Sequence, residues 1–599
     1  MTQKPRAIEL PDTESEECPA MSVPLTHIPN GMPGPIVDPR AVSRRTFLRR
    51  TAQTGLALGA ADFLSYFNRF GGDPNHGVAW AKSLDAASKQ ATNPHYLIVW
   101  FVEGGWESYD MFSPVDTANN ILPGKRLPQE QMSKERYRVL KWGQPGHDIQ
   151  KHGNIKYGYL AEKGKSLFPE MAVLSSMHTG SFHSGERLKA HMGSYDLRLQ
   201  ADREPDERSV TQAFAEVYGQ PYVLPNLAWH WWLSDGELNE VQYTGRKGYY
   251  HALGPAHAHT IYAGAPANLR DFMLRMQSNA SDVVNREIEH FLDGAHTHLT
   301  RDKDIETVKS YNSARQIYAN MTAGGKKLSR PMLSRMFTDA VLKEQFKVKP
   351  EDELITYQSV NGNKARTKFC PNTNVQAMMT YEMMRADLSC AFWVETRDIR
   401  RFDSHFGRKG LWENDGTTPR GMPDQTDMMA AQVWDPLLTL VDLLKKTPHK
   451  TTGRSLWEYT TIVLTSEFGR TIHGDVDAIL KMNIPDVDKQ KMIDGQDISE
   501  HWKVTSAAFL GPKVKGDSQW GGVGANTLMA VPLLPDGSPD PAYDLVSGDL
   551  LPGKSPEERG SIPNHGDVYA TTLALCDIAK KDQKGRNNRA PLPYIKKTA

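Results

Sequence analysis

The sequence predicts an α/β fold, a mostly parallel sheet covered by helices on both faces. Three observations predict it. Short apolar runs of 5 to 7 residues, rich in β-branched and aromatic side chains, recur at Tyr96–Val102, Met171–Ser175, Leu388–Val394, Thr460–Thr465 and Ser506–Leu510. These runs are nearly continuous rather than alternating, as expected of strands buried on both faces. Between them lie amphipathic helical patterns. Met428–Lys445 lines up Met429, Val433, Leu437, Leu440, Val441 and Leu444, and Val568–Ala579 carries Leu573, Leu575 and Ile578. Strands and helices in alternation define the class.

Composition agrees and excludes several kinds of protein. Of 599 residues, 39% are hydrophobic and 24% charged, which supports a packed core and excludes a globally disordered chain. Lys+Arg and Asp+Glu are both 71, so there is no net basic charge of the kind that nucleic-acid binding calls for. No apolar run reaches the roughly 18 residues of a stable transmembrane span. Four cysteines, Cys18, Cys370, Cys390 and Cys576, cannot staple a chain of this length, and no C-x-x-C occurs.

Taken in order, residues 1–42 are rich in Pro, Gly, Glu, Thr and Ser without apolar periodicity and are expected to be disordered. Residues 43–81 read as a twin-arginine export signal. Ser43-Arg44-Arg45-Thr46-Phe47-Leu48 opens it, a moderately apolar stretch from Thr51 to Phe67 follows, and Ala79-Trp80-Ala81 is an A-x-A-like cleavage site. The expected partner is the twin-arginine translocation machinery, with cleavage near Ala81 and a periplasmic or extracellular destination. Residues 82–599 then form a single domain. Its segment from about 200 to 385, with Trp229, Trp231 and Trp232 and a charged helical stretch, reads as a helical and loop insertion between strands. Met529–Pro563, rich in Pro, Gly and Asp, reads as an irregular surface loop.

Ligands of open α/β sheets bind beyond the carboxyl ends of the strands, so the residues that follow each apolar run are the candidates for chemistry. Glu103-Gly104-Gly105 follows the first run, with Glu107 and Asp110 just after. Ser176-Met177-His178-Thr179 follows the second and leads to His183, Ser184 and Arg187 at a helix start, where anions are favoured. Asp403 and His405 follow the third, Glu467 follows the fourth, and His501 precedes the fifth. Carboxylates and imidazoles repeated at successive strand ends are the ligand types of a divalent ion such as Zn²⁺, Mn²⁺ or Ca²⁺.

These segments also resemble, in the same order, the domain-of-unknown-function family numbered 1501, a twin-arginine-exported branch of the alkaline phosphatase/sulfatase superfamily. Thr465-Ser466-Glu467-Phe468-Gly469-Arg470-Thr471 looks like its signature. Gly104-Gly105 with Asp110, Ser176-Met177-His178-Thr179, Phe402-Asp403-Ser404-His405, Glu500-His501-Trp502 and Asp567-Val568-Tyr569 look like its other motifs. The resemblance implies an alkaline-phosphatase-like core with a metal site at the strand ends. It implies Asp403, His405, Glu467 and His501 as metal ligands, with Glu107 or Asp110 from the first strand. In the superfamily a Cys, Ser or Thr nucleophile begins the second helix before an Arg; here His183 falls at that position, Ser184 is one residue off, and Arg187 follows.

Two functions are expected from this. One is a metal-dependent phosphate or sulfate ester hydrolase, with His183 or Ser184 as base or nucleophile and Arg187 or Arg470 on the anionic group. The alternative is a non-catalytic exported binding or envelope protein that retains the fold, with a carbohydrate or protein partner.

Overall fold

The computed structural model describes residues 94–114, 149–181, 183–193, 209–219, 221–222, 224–228, 260–262, 269–270, 274, 334–353, 371–396, 402, 428–470, 483, 485, 501–524, 529–545, 547–582 and 589–597. The expected export signal and cleavage site at 43–81, the tryptophans at 229–232, Asp403 and His405 lie outside them. No described helix is long and apolar enough to cross a membrane.

The strands in chain order are β1 (Tyr96–Val102), β2 (Gln150–His152), β3 (Ile155–Tyr157), β4 (Met171–His178), β5 (Asn226–Ala228), β6 (Thr260–Tyr262), β7 (Ala391–Glu395), β8 (Thr460–Ser466), β9 (Gly469–Arg470), β10 (His501–Trp502), β11 (Val504–Leu510) and β12 (Ser518–Trp520). Eight of them build one sheet in the order β12-β4-β11-β8-β1-β7-β5-β6. All neighbours pair parallel except β11, which runs antiparallel to both β4 and β8. The expected mostly parallel α/β sheet is therefore present, with one reversed strand inside it.

Every residue of β1, β7, β8 and β11 is buried. Successive side chains of a strand point to opposite faces, so both faces of the sheet are covered. Two groups of helices pack on it. Helices α1 (His183–Met192), α2 (Val210–Tyr218) and α5 (His565–Leu575) form one group; α3 (Thr373–Arg385) and α4 (Asp435–Lys446) form the other. The periodicity over Met428–Lys445 appears as α4 preceded by a π-helical stretch at Ala430–Trp434. Pro436 at the start of α4 has no N–H to give the turn before it, which accounts for the break. Helix α5 begins at His565, earlier than its apolar periodicity suggests, because Asn564 and Asp567 form a capping box.

Part of the segment read as an insertion belongs to the sheet itself. It supplies β5 and β6 at one edge, and α2 and α3 against the strands. Strands of three residues are too short to show a pattern in sequence. The Met529–Pro563 loop is irregular, as expected, but ordered by its own aspartates: buried Asp540 accepts the N–H groups of Ala542 and Glu557 at 2.9 and 3.0 Å. Cys390 and Cys576 are free and buried.

The topology brings the candidate residues to one edge. β1, β7 and β8 end there, and β11 starts there because it runs the other way. The antiparallel ribbon of β9 and β10, with His501 opposite Arg470, folds over that edge.

Candidate active site at the carboxyl edge of the sheet

β1 and β8 pair in register to their last residues, Val102 opposite Ser466. The next residues, Glu103 and Glu467, therefore leave the sheet side by side. Both are buried, Glu467 completely. After Glu103 the chain turns through Gly104 and Gly105, whose φ angles of 101° and 81° are costly for any residue with a Cβ. A Cβ at Gly105 would also strike the Phe468 ring. The turn is fastened to β8: the Ser466 hydroxyl donates to Val102 O at 2.7 Å, and the Trp106 N–H donates to that hydroxyl at 3.2 Å. Arg470 donates through Nε to Gly105 O at 3.2 Å and through Nη2 to Gly104 O.

Helix α1 then delivers two side chains one turn apart on the same face, His183 and Arg187. Both meet Glu467. Its Oε1 accepts from His183 Nδ1 and from the Gly104 N–H, each at 2.7 Å, and its Oε2 accepts from Arg187 Nε at 2.8 Å. Arg187 Nη2 makes a 2.6 Å ion pair with Glu103 Oε1. Burial alone would raise the Glu467 carboxyl, but the charges of Arg187 and His183 and the bonds it accepts win and hold it down at about 2. An ionised carboxylate only accepts, so His183 Nδ1 carries a proton toward it.

Beneath this, His565 at the start of α5 donates from Nε2 to the Glu467 backbone carbonyl at 2.9 Å. Burial lowers its pKa, which keeps the ring neutral. Above it, the His183, Phe468 and His501 rings pack together, with centroids 4.2 to 4.8 Å apart. His501 is held by its Nδ1–H donating to Ser181 O at 2.9 Å. His183 is about a quarter exposed (23%), whereas Arg187 and Glu467 are sealed.

Of the nine residues singled out from sequence, the structure brings His183, Arg187, Glu467 and His501 together. Ser184 is the second residue of α1. Glu107 precedes the 3₁₀ turn Ser108–Asp110, and both it and Asp110 are buried. Asp403 and His405 fall outside the described residues. Among the described residues no three of His, Cys, Asp and Glu form a group that could hold a metal ion. The described donors do not fit one at Glu467, whose two oxygens already accept from Gly104, His183 and Arg187. Arg187 and Arg470, expected on an anionic group, are both fully buried and engaged with Glu103, Glu467 and the glycine turn. Two residues of the cluster went unselected in sequence. Glu103 could have been found by its place directly after β1, the same place that Glu467 holds after β8. His565 carries no local signal, because its role depends on α5 packing under β8.

No protein-family model matches the chain, and no curated protein matches it. Among solved structures, the crystal structure of the lipoteichoic acid synthase LtaP from Listeria monocytogenes is similar over 85% of this chain and 82% of its own, at 10% identity and a TM-score of 0.29. The resemblance to the family numbered 1501 rests on the motifs quoted above.

Proposed function

We propose that this chain is an exported hydrolase of anionic esters, phosphate or sulfate, in which His183 is the general base. The observation that carries this reading is the pair His183–Glu467. A fully buried carboxylate, held ionised, orients an imidazole that reaches the surface at a helix start. With Nδ1–H committed to Glu467, the neutral ring keeps its basic lone pair on Nε2. That nitrogen takes the proton of a water attacking the ester and returns it to the leaving oxygen. The amino end of α1 favours the anionic group. Arg187 is a positioning residue: it holds Glu467, and through it His183. A divalent ion, if bound, would polarise the ester oxygen; Asp403, His405 and His501 are the candidates for holding it, and Glu467 is not. The export signal at Ser43–Ala81 supports action outside the cytoplasm.

The test is hydrolysis of aryl phosphate and aryl sulfate by the purified protein, with and without added Zn²⁺, Mn²⁺ or Ca²⁺. His183→Gln should lower kcat by roughly 10²–10⁴-fold with little change in KM. Glu467→Gln should do the same and displace the pH profile. Activity untouched by His183→Gln would refute the assignment.

One observation favours the second reading, a non-catalytic binding protein. Both candidate anion-binding arginines are turned into the fold, as in a scaffold kept for its stability. That reading wins if the protein hydrolyses no ester under any of these conditions.

A further inference from the structure

We infer that the Arg187 guanidinium is the built-in cation of this centre, occupying the place between Glu103 and Glu467 that a divalent ion would otherwise take. The inference concerns the same site as the proposed function but does not depend on hydrolysis. Two parallel neighbouring strands in register deliver two carboxylates side by side at their ends. Both are removed from water, and neither can stay ionised there without a positive partner. Metal centres supply that partner as an ion. Here it is covalently part of α1: Nε lies 2.8 Å from Glu467 Oε2, and Nη2 lies 2.6 Å from Glu103 Oε1. The guanidinium is fully buried, so it cannot swing out to solvent to admit an ion without opening the packing of α1. Its planar fork suits two carboxylates at once, and its charge does not titrate.

The other partners are consistent with a site already complete. Glu467 Oε1 is filled by the Gly104 N–H and His183 Nδ1. The Glu103 backbone N–H donates to the Thr396 hydroxyl at 2.9 Å, which ties this strand end to the residue after β7. Two consequences follow. Chelators should leave the Glu103–Glu467 pair intact. Any metal held by this protein should use other ligands, so Glu467 drops out of the expected ligand set.

The deciding experiment is a crystal structure of the parent protein grown with millimolar MnCl₂, read by anomalous scattering at the manganese edge. The expected result is Arg187 bridging the two carboxylates with no anomalous peak between them, whatever is bound elsewhere. A peak between Glu103 and Glu467, with Arg187 displaced, overturns the inference. A second measurement uses Arg187→Ala, which opens the gap. Mn²⁺ or guanidinium should then raise its melting temperature, a shift the parent lacks. An Arg187→Ala protein that folds as stably as the parent and responds to neither cation also overturns the inference. If that variant does not fold, the parent crystal still decides. Ester hydrolysis is read in neither experiment, so failure here is distinct from failure of the proposed function.

Discussion

The two ends of the central strands solve the same problem differently. At the carboxyl end, Glu103, Glu467, Arg187 and His183 are buried charges and donors in direct contact, at 2.6 to 2.8 Å. At the amino end, Tyr96, Tyr222, Asp387 and His449 are also buried, with the Tyr96 hydroxyl set against the Tyr222 hydroxyl and the Asp387 carboxylate. His449 Nε2 stands 3.9 Å from Asp387 Oδ1, beyond hydrogen-bond reach. Burial there pushes the Tyr96 and Tyr222 hydroxyls well up, so both remain neutral. The contrast shows where the fold concentrates charge: ion pairs at the carboxyl edge of the sheet, and mostly neutral hydroxyl groups at the amino edge.

The largest effect expected from breaking this contrast is at Arg187. Arg187→Ala leaves two buried carboxylates without their cation and should destabilise by about 3–5 kcal/mol, measured by urea denaturation. Arg187→Lys should recover part of this, because it restores the charge without the fork.

Acid should separate the histidine and carboxylate contributions next. The folded pKa of Glu467 is depressed from 4.5 to about 2, so its contribution is present above pH 4.5 and lost as pH falls from there toward 2. That contribution is about 3 kcal/mol at neutral pH. His95, just before β1 at the amino end, is depressed from 6.5 to about 4 by burial and by Lys513. The unfolded chain then takes up the proton first, and stability is lost as pH falls from 6.5 toward 4. His565, beneath Glu467, is lowered by burial as well, so both ends lose stability as pH falls below 6.5, and the loss below pH 4.5 carries the Glu467 contribution. Glu467→Gln should flatten the loss below pH 4.5 and leave the loss above it unchanged.

The smallest effect is expected at the amino end. Tyr222→Phe removes a neutral hydroxyl that stands against that of Tyr96 and should cost about 0.5–1.5 kcal/mol. A cost as large as that at Arg187 would mean that this cluster is a tightly bonded network after all.

Sequence by itself determined the class of fold, because unbroken apolar runs such as Tyr96–Val102 and Thr460–Thr465 can be buried only as strands covered on both faces. It determined that chemistry would gather just past those runs, and it selected His183, Arg187, Glu467 and His501, since parallel strands send such residues to one edge. Tertiary structure decided what these residues do there. The direction of β11, the short strands β5, β6 and β12, and the pairing of Glu103 with Arg187 rest on contacts between segments up to several hundred residues apart. No local pattern encodes those contacts. Whether a strand-end carboxylate faces an ion, a base or a guanidinium depends on which helix packs over it. Here α1 packs so that Arg187 and His183 both reach Glu467, and a carboxylate that reads as a metal ligand in sequence becomes the anchor of an ion pair and an imidazole.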